Sequence, residues 1–367
     1  MKLRLLLGLV ILSLLTCKNV LTVHAQELGT IHKALTALYK STNGDQWTNN
    51  TGWDTTAVPA SRDEFNSWYG VSLYKTWLGS DNMSINLKNN NLSGTLPSEI
   101  GLLTKMDSLI LSENNLTGSI PPEIGKLEKL AYLILPKNKL SGAIPPEIGQ
   151  LKYLVYFIVW DNELESLPRE IGGMSNLAHF HINKNKLSGE IPEEFEGMRN
   201  LRTLNLSENN FSGPIPTKLG RLESLEFLFI NDNQLTGELP RRFLRQFSLR
   251  VFHFHNNAGF CVPADDDFQQ WLQRLQEHRG PICAVDTATE EKLDLDGIQF
   301  YPNPVVDYAT FTDLPYAAEL RIFDLLGRTV LISDEARVDL SELLPGLYIY
   351  TVSSEVNGIT KGKLIKQ

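Results

Sequence analysis

Residues 111–151 read LSENNLTGSIPPEIGKLEKLAYLILPKNKLSGAIPPEIGQL. The phrase NNLTGSIPPEIGKL, beginning at Asn114, returns 24 residues later as NKLSGAIPPEIGQL, beginning at Asn138. Outward from this pair the spacing holds. Asparagines stand at Asn90, Asn114, Asn138, Asn162, Asn185, Asn209, Asn233 and Asn257, every step being 24 residues except one of 23 between Asn162 and Asn185. An apolar alternation precedes them, as in LILPKN, FIVWDN and LNLSEN, and most are followed by Ser or Thr with Gly and then Ile or Leu with Pro. Self-similarity at this period means a solenoid, because a unit this short cannot bury its apolar face alone and must stack on its neighbours. Leu133 and Leu135 alternate with Tyr132 and Ile134. One set therefore points inward and the other outward, and parallel strands line one curved face. The glycine after Ser or Thr permits a bend that other residues resist. The prolines at 97, 121, 145, 168, 192, 216 and 240 set an extended segment on the opposite side.

The pattern L-x-x-L-x-L-x-x-N-x-L over residues 83–260 resembles the leucine-rich repeat, and the LSG-x-IP continuation is similar to its plant-type subclass. The resemblance implies an α/β solenoid: eight repeats forming a superhelix, closed by caps at both ends. It also implies that the eight asparagines form a ladder, each amide bonding backbone groups of its own turn and of the next unit. One unit departs. After Asn162 the chain reads ELESLPREIGGMSNL, one residue short and without the Ser-Gly pair, so a local change in curvature or twist is expected there.

An array of this kind exposes raw core at each end. Residues 26–82 are expected to cover the first unit. Leu28, Ile31, Leu35 and Leu38 lie at helical spacing, and Trp47, Trp53 and Trp68 read as core. The run ALTALYKSTNGDQWTNNTGW, followed by WYGVS, resembles the cap that precedes plant-type repeats; relatives often carry a cysteine where Ser72 stands here. Residues 261–284 close the other end. Asp265, Asp266 and Asp267 suit a helix start, and Phe268, Trp271, Leu272 and Leu275 form one apolar stripe. Cys261 and Cys283 bracket this helix, and in an oxidising compartment they are expected to pair as a disulfide.

The first residues supply that compartment. Lys2 and Arg4 open a short apolar run and VHA follows, ending at Ala25, so residues 1–25 read as an export signal with cleavage after Ala25, and no transmembrane segment is expected in the mature chain. Removing Lys2, Arg4 and Lys18 makes the formal charge of −9 three units more negative, which argues against a nucleic-acid partner. Residues 285–297 are polar and acidic and read as a linker. Residues 298–367 carry YPNP, FDLLGR, DLSELLPGLYIY and KGKLIK; short alternating strands argue a small all-β sandwich. These phrases resemble the C-terminal sorting domain of the type IX secretion system of the Bacteroidetes. That resemblance implies the type IX machinery as a partner and a secreted protein, or one on the outer-membrane surface of a Gram-negative bacterium.

No nucleophile elbow, phosphate loop or zinc-protease motif is present, so neither an enzyme nor a cofactor is expected. The positions free of core demands are the outward strand residues. Aromatics and histidines gather there in two places: Tyr132, Tyr156, Trp160, His179 and His181, then Phe227, Phe229, His253 and His255. Thr203, Asn205 and Ser207 lie between them. Such residues are favoured interface anchors, so the expected role is non-catalytic recognition of an extracellular protein, peptide or glycan. The His-Phe-His pairs lie three repeats apart and lack a third ligand each, so no metal is expected. Isoleucines 110, 134 and 158 also fit a plain cross-strand ladder, and a surface spacer without a discrete ligand is the alternative.

Overall fold

The computed structural model describes residues 25–257, 259–284, 300–301, 306–311, 319–325, 328–335, 337–354 and 358–367. The expected signal peptide, except Ala25, and the expected linker lie outside the described residues. The described chain divides into two compact units on either side of Cys283 and Ala284.

In the first unit, ten strands form one sheet. It opens with an antiparallel pair, Val71–Lys75 with Asp81–Asn86. Parallel strands then follow once per repeat: Met106–Ile110, Tyr132–Ile134, Tyr156–Ile158, His179–His181, Thr203–Asn205, Phe227–Phe229 and Val251–His253. A last parallel strand, Glu277–Arg279, comes from the C-terminal cap. The central residue of each repeat strand, such as Leu109, Leu133, Phe157, Phe180 and Leu204, is fully buried. These join one continuous core that runs from Leu28 to Leu275.

The opposite side carries short strands and 3-10 helices. Six of the latter follow a proline in extended conformation, for example Pro121 at φ −68 and ψ 141. Close stacking explains the recurring glycine of the PPEIG phrase: a Cβ on Gly125 would sit 2.5 Å from the carbonyl oxygen of Glu147 in the next unit. Gly118, after Thr117, has φ +72 and takes the bend. The residue before each repeat asparagine is also left-handed, although it is Lys137, Asp161 or Glu208 and not glycine.

The short unit leaves a seam. On the convex side, one four-stranded sheet ends at Glu163–Ser166 and a second begins at Ser188–Glu190. The register also slips at Gly142 and Ala143, so that Ala143 faces Ser166. The concave sheet continues across the same place without a slip.

The ends are closed by different means. Residues 25–41 form a helix whose Leu35 and Leu38 are fully buried, as nearly are Trp47, Trp53 and Trp68. Trp47 and Trp53 meet edge to face at 4.8 Å. The outer edge of Val71–Lys75 is sealed by one side chain: Leu73 N donates to Asn66 Oδ1 (2.5 Å), and Asn66 Nδ2 donates to Leu73 O (3.2 Å). The amide of Asn66 therefore occupies the place of another strand, on an edge that would otherwise template pairing. Asn66→Ala is expected to cost about 1–2 kcal/mol and to produce concentration-dependent self-association, read by light scattering; a variant that stays monomeric and equally stable counts against the edge-sealing role. At the far end, Asp265 Oδ1 accepts from Phe268 N (3.1 Å) and caps the helix Asp266–Arg274. Cys261 is bonded to Cys283.

The second unit is all-β. Phe300–Tyr301, Tyr308–Phe311 and Arg337–Asp339 form one antiparallel sheet. Thr329–Ser333, Glu319–Phe323, Gly346–Ser354 and Gly358–Lys366 form another. Ala309, Leu320, Ile322, Val338, Leu340, Tyr348, Tyr350, Val352 and Leu364 make its own core. No described helix is long and apolar enough to cross a membrane.

Candidate functional site on the concave face

Parallel pairing without slips turns the repeat into rows. Tyr132 is opposite Tyr156, Tyr156 opposite His179, and His179 opposite Thr203. Strand spacing of about 4.8 Å brings neighbouring rings on one row into contact. Tyr132 and Tyr156 stack with centroids 5.2 Å apart and planes 14° apart. Tyr156 and His179 stack at 4.5 Å and 13°. His181 stands beside His179 at 6.4 Å. Tyr132, at the open end of the stack, is 42% exposed. Ile134 and Ile158 stand two residues on from Tyr132 and Tyr156, on the same side of the sheet, and both are half-buried.

Trp160 does not join the stack. It lies two residues beyond the end of Tyr156–Ile158, where the chain leaves the strand, and its ring carries Lys137 Nζ 5.4 Å from the centroid. The third outward row therefore behaves differently from the first two. Ser112, Pro136 and Ser207 on that row are buried, and so is Thr203 on the first. The expectation that these positions face outward is corrected at Ser112, Pro136, Ser207 and Thr203 alone; Lys88 is exposed, and Trp160, Asn183, Asn231 and His255 are half-buried. Ser207 Oγ donates to Asn205 Oδ1 at 2.7 Å, so the polar break between the two clusters is internally satisfied.

In the second cluster, Phe229 meets His253 edge to face at 5.1 Å, and His253 lies 6.0 Å from His255. Phe227 is half-buried on the neighbouring row. His253 Nε2 is 3.0 Å from Glu277 Oε1, which also pairs with Arg279 at 2.7 Å. Glu277 and Arg279 went unseen in sequence because their strand belongs to no repeat. Among the described residues no three His, Cys, Asp or Glu side chains gather as a metal would need.

The opposite end of the face holds another unforeseen group. Asp107 Oδ2 accepts from the hydroxyl of Tyr74 and from Asn82 Nδ2 (2.6 Å). Burial, and then the Asp107 carboxylate, push the Tyr74 phenol up to about 12, so it stays a proton donor. Beyond it, Trp77 stands 92% exposed on the turn between the first two strands.

Beneath the rows run the asparagines. Asn138 Nδ2 donates to the carbonyls of Leu111 and Leu135, each at 3.0 Å, and its Oδ1 accepts from Leu116 N at 3.0 Å. Asn114, Asn162, Asn185, Asn209, Asn233 and Asn257 repeat the arrangement. Asn90 differs: at the first unit it bonds Asn49 of the cap, accepting from its N–H (2.7 Å) and donating to its carbonyl (2.9 Å).

Burial holds the His181 imidazole below the usual histidine range, with His179 adding to the shift. Burial does the same to His179; Arg202 reinforces it and Glu226 opposes it. A depressed folded-state pKa means that the unfolded chain takes the proton first. The contribution of His181 is then complete above the ordinary histidine value of about 6.5 and is lost as pH falls through the lower folded value. Melting temperature should fall between pH 7.5 and 5 by less in His181→Gln than in the wild type; equal falls would show that His181 does not titrate in this way.

Family models match both parts of the chain. "Leucine rich repeat" models match residues 152–211 and 192–235, and 83–103 and 105–127. "Secretion system C-terminal sorting domain" matches residues 299–367. No curated protein matches the chain. Among solved structures, the chain is similar to the LRR ectodomain of the receptor kinase GASSHO1/SCHENGEN3 from Arabidopsis thaliana, in complex with CASPARIAN STRIP INTEGRITY FACTOR 2. The TM-score is 0.55 and the identity 27%, over 69% of this chain and 29% of that one. It is similar also to the LRR ectodomain of the Arabidopsis receptor kinase HAESA in complex with an extended IDA peptide hormone ligand. There the TM-score is 0.53 and the identity 23%, over 69% of this chain and 42% of that one. The chain thus spans less than half the length of either ectodomain. With the repeats, the concave sheet and the separate β-unit all in place, the chain is a leucine-rich repeat protein that ends in a secretion system C-terminal sorting domain.

Proposed function

We propose that the chain is an exported, non-catalytic recognition protein of the Bacteroidetes. Its concave face binds an extracellular protein, peptide or glycan, and residues 298–367 direct it through the type IX machinery. The observation that carries this reading is the stack of Tyr132, Tyr156 and His179. Three neighbouring outward positions hold aromatic rings where the core asks for nothing, and large rings at a concave centre are what interfaces use as anchors. Phe227, Phe229, His253 and His255 extend the surface toward the C-terminal cap, and Trp160 flanks it. The likeness to an ectodomain solved in complex with CASPARIAN STRIP INTEGRITY FACTOR 2 supports recognition of a partner as the role. The eight asparagines and the Cys261–Cys283 bond serve the scaffold in this reading.

The test is to screen the full chain on a glycan array and against proteins released from cell surfaces, beside the double variant Tyr132→Ala/Tyr156→Ala. The variant should lose about 1–2 kcal/mol or more of binding, while its melting curve moves no more than for an ordinary surface change, about 0.5 kcal/mol. Retained binding with a collapsed melting curve would make the ring stack structural.

A further inference from the structure

The ten-stranded sheet has two edges, and the chain treats them differently. At the first, the amide of Asn66 occupies the bonding positions of Leu73. At the second stands Glu277–Arg279, and among the described residues no strand lies beyond it. The residues from Gln276 through Ile282 are exposed without a break. Glu277 N donates to Arg250 O (3.1 Å), and Arg279 O accepts from Phe254 N (2.8 Å). Both residues thus bond inward, and His278, opposite Phe252, lies between them. The ladder alternates along a strand, so the N–H and C=O of His278 turn the other way, into the open edge. Such an edge is a template for a further strand.

The residues on the edge say which strand fits. Native edges are often blunted with charge, lysine above all, and a single sign repels a second copy. Here the sign changes between Glu277 and Arg279. When a second copy pairs antiparallel with His278 opposite His278, the two histidines exchange both backbone bonds. Glu277 of each copy then lies opposite Arg279 of the other, at positions where side chains approach most closely and opposite charges stabilise. Glu277 and Arg279 already pair within one chain at 2.7 Å, so the dimer closes a ring of four alternating charges. Apolar surface follows the same symmetry. Phe247, 80% exposed, lies against Arg274 just before the strand, and Ile282, 47% exposed, comes just after it. Antiparallel pairing carries the start of one strand to the end of the other, and so brings Phe247 toward Ile282 of the second copy. We propose that two copies of this chain associate edge to edge through Glu277–Arg279, about a two-fold axis at His278. Such a contact uses the same patch on both copies and closes on itself, and the Asn66 seal at the far edge stops the sheet from extending further. The strand is short, so the dimer is reversible and dissociates on dilution.

The test is sedimentation velocity of the full chain in a dilution series, where a reversible monomer–dimer equilibrium is expected. His278→Pro removes the outward donor and leaves the bonds to the inner strand in place, as proline on an edge strand can. It should be monomeric at every concentration, with circular dichroism reporting an unchanged fold. Two charge reversals test the register without relying on proline. Glu277→Arg and Arg279→Glu each set like charges opposite one another at both positions, and each should weaken the dimer by at least about tenfold. Mixed in equal amounts, the two variants again place opposite charges at both positions, so a mixed dimer should form. A wild type that stays monomeric throughout would overturn the proposal. Dimers that survive in all three variants would overturn it too, because the contact then lies elsewhere. Reversals that abolish the dimer with no rescue on mixing would overturn the antiparallel register about His278.

Discussion

Asn138→Ala is expected to lower the unfolding free energy by about 3 kcal/mol. The side chain is 9% exposed, and its amide satisfies the carbonyls of Leu111 and Leu135 and the N–H of Leu116 together. Removing it orphans the N–H of Leu116 and takes one of two amide donors from each carbonyl, since Leu111 O keeps Asn114 Nδ2 and Leu135 O keeps Asn162 Nδ2; a buried polar group left unpaired costs about 1–3 kcal/mol. The two weakened carbonyls bring the total to the upper end of that range. The control is Asn115→Ala, one residue past another rung, whose exposed side chain makes one 3.4 Å contact, to Asn91; it should stay within about 0.5 kcal/mol. Urea unfolding of both variants against the wild type decides the matter. Equal stabilities for Asn138→Ala and Asn115→Ala would remove the ladder from the account of what holds the units together.

The second large effect concerns export. A chain ending at Ala284 loses the β-unit matched by the sorting-domain family and nothing of the core that runs from Leu28 to Leu275. It is expected to fold, with the melting behaviour of the intact repeats, and to be absent from the medium and the cell surface, remaining in the periplasm. Fractionation with an antibody to the repeats measures this. Normal secretion of the truncated chain would dissociate the tail from export; an unfolded truncation would show that the repeats lean on the tail.

The fold was legible because one constraint is written eight times. A period of 24 leaves strand register little freedom, so the opposition of Tyr132, Tyr156 and His179 could be read from spacing before any coordinate was known. The limits have physical causes as well. Trp160 sits at the same repeat position as Ser112 and Pro136, yet burial varies along that row, from exposed Lys88 through half-buried Trp160 to buried Ser112 and Pro136, so alternation alone does not fix it. Asn66 and the strand Glu277–Arg279 belong to no repeat, so no periodic signal marks them. Tyr74 and Asn82 meet by antiparallel pairing of a cap strand with the first repeat, and Asp107 joins them from the parallel strand beyond, contacts that spacing within the repeats does not encode.

The seam at the short unit bears on how the molecule comes apart. In a linear array each unit is held by its neighbours, so the weakest junction sets where the array divides. Between Glu163–Ser166 and Ser188–Glu190 the convex sheet is interrupted. The junction there relies on the concave strands, the apolar core, the Asn185 amide and the backbone bond from Lys186 to Leu164. The missing residue is thus a perforation line. Amide exchange would report two blocks, one running from the cap to Ser166 and the other from His179 to the disulfide, each opening on its own schedule. The stacked rings straddle that line, with Tyr132 and Tyr156 on one block and His179 on the other, so a ligand lying across all three would tie the blocks together and make them exchange as one.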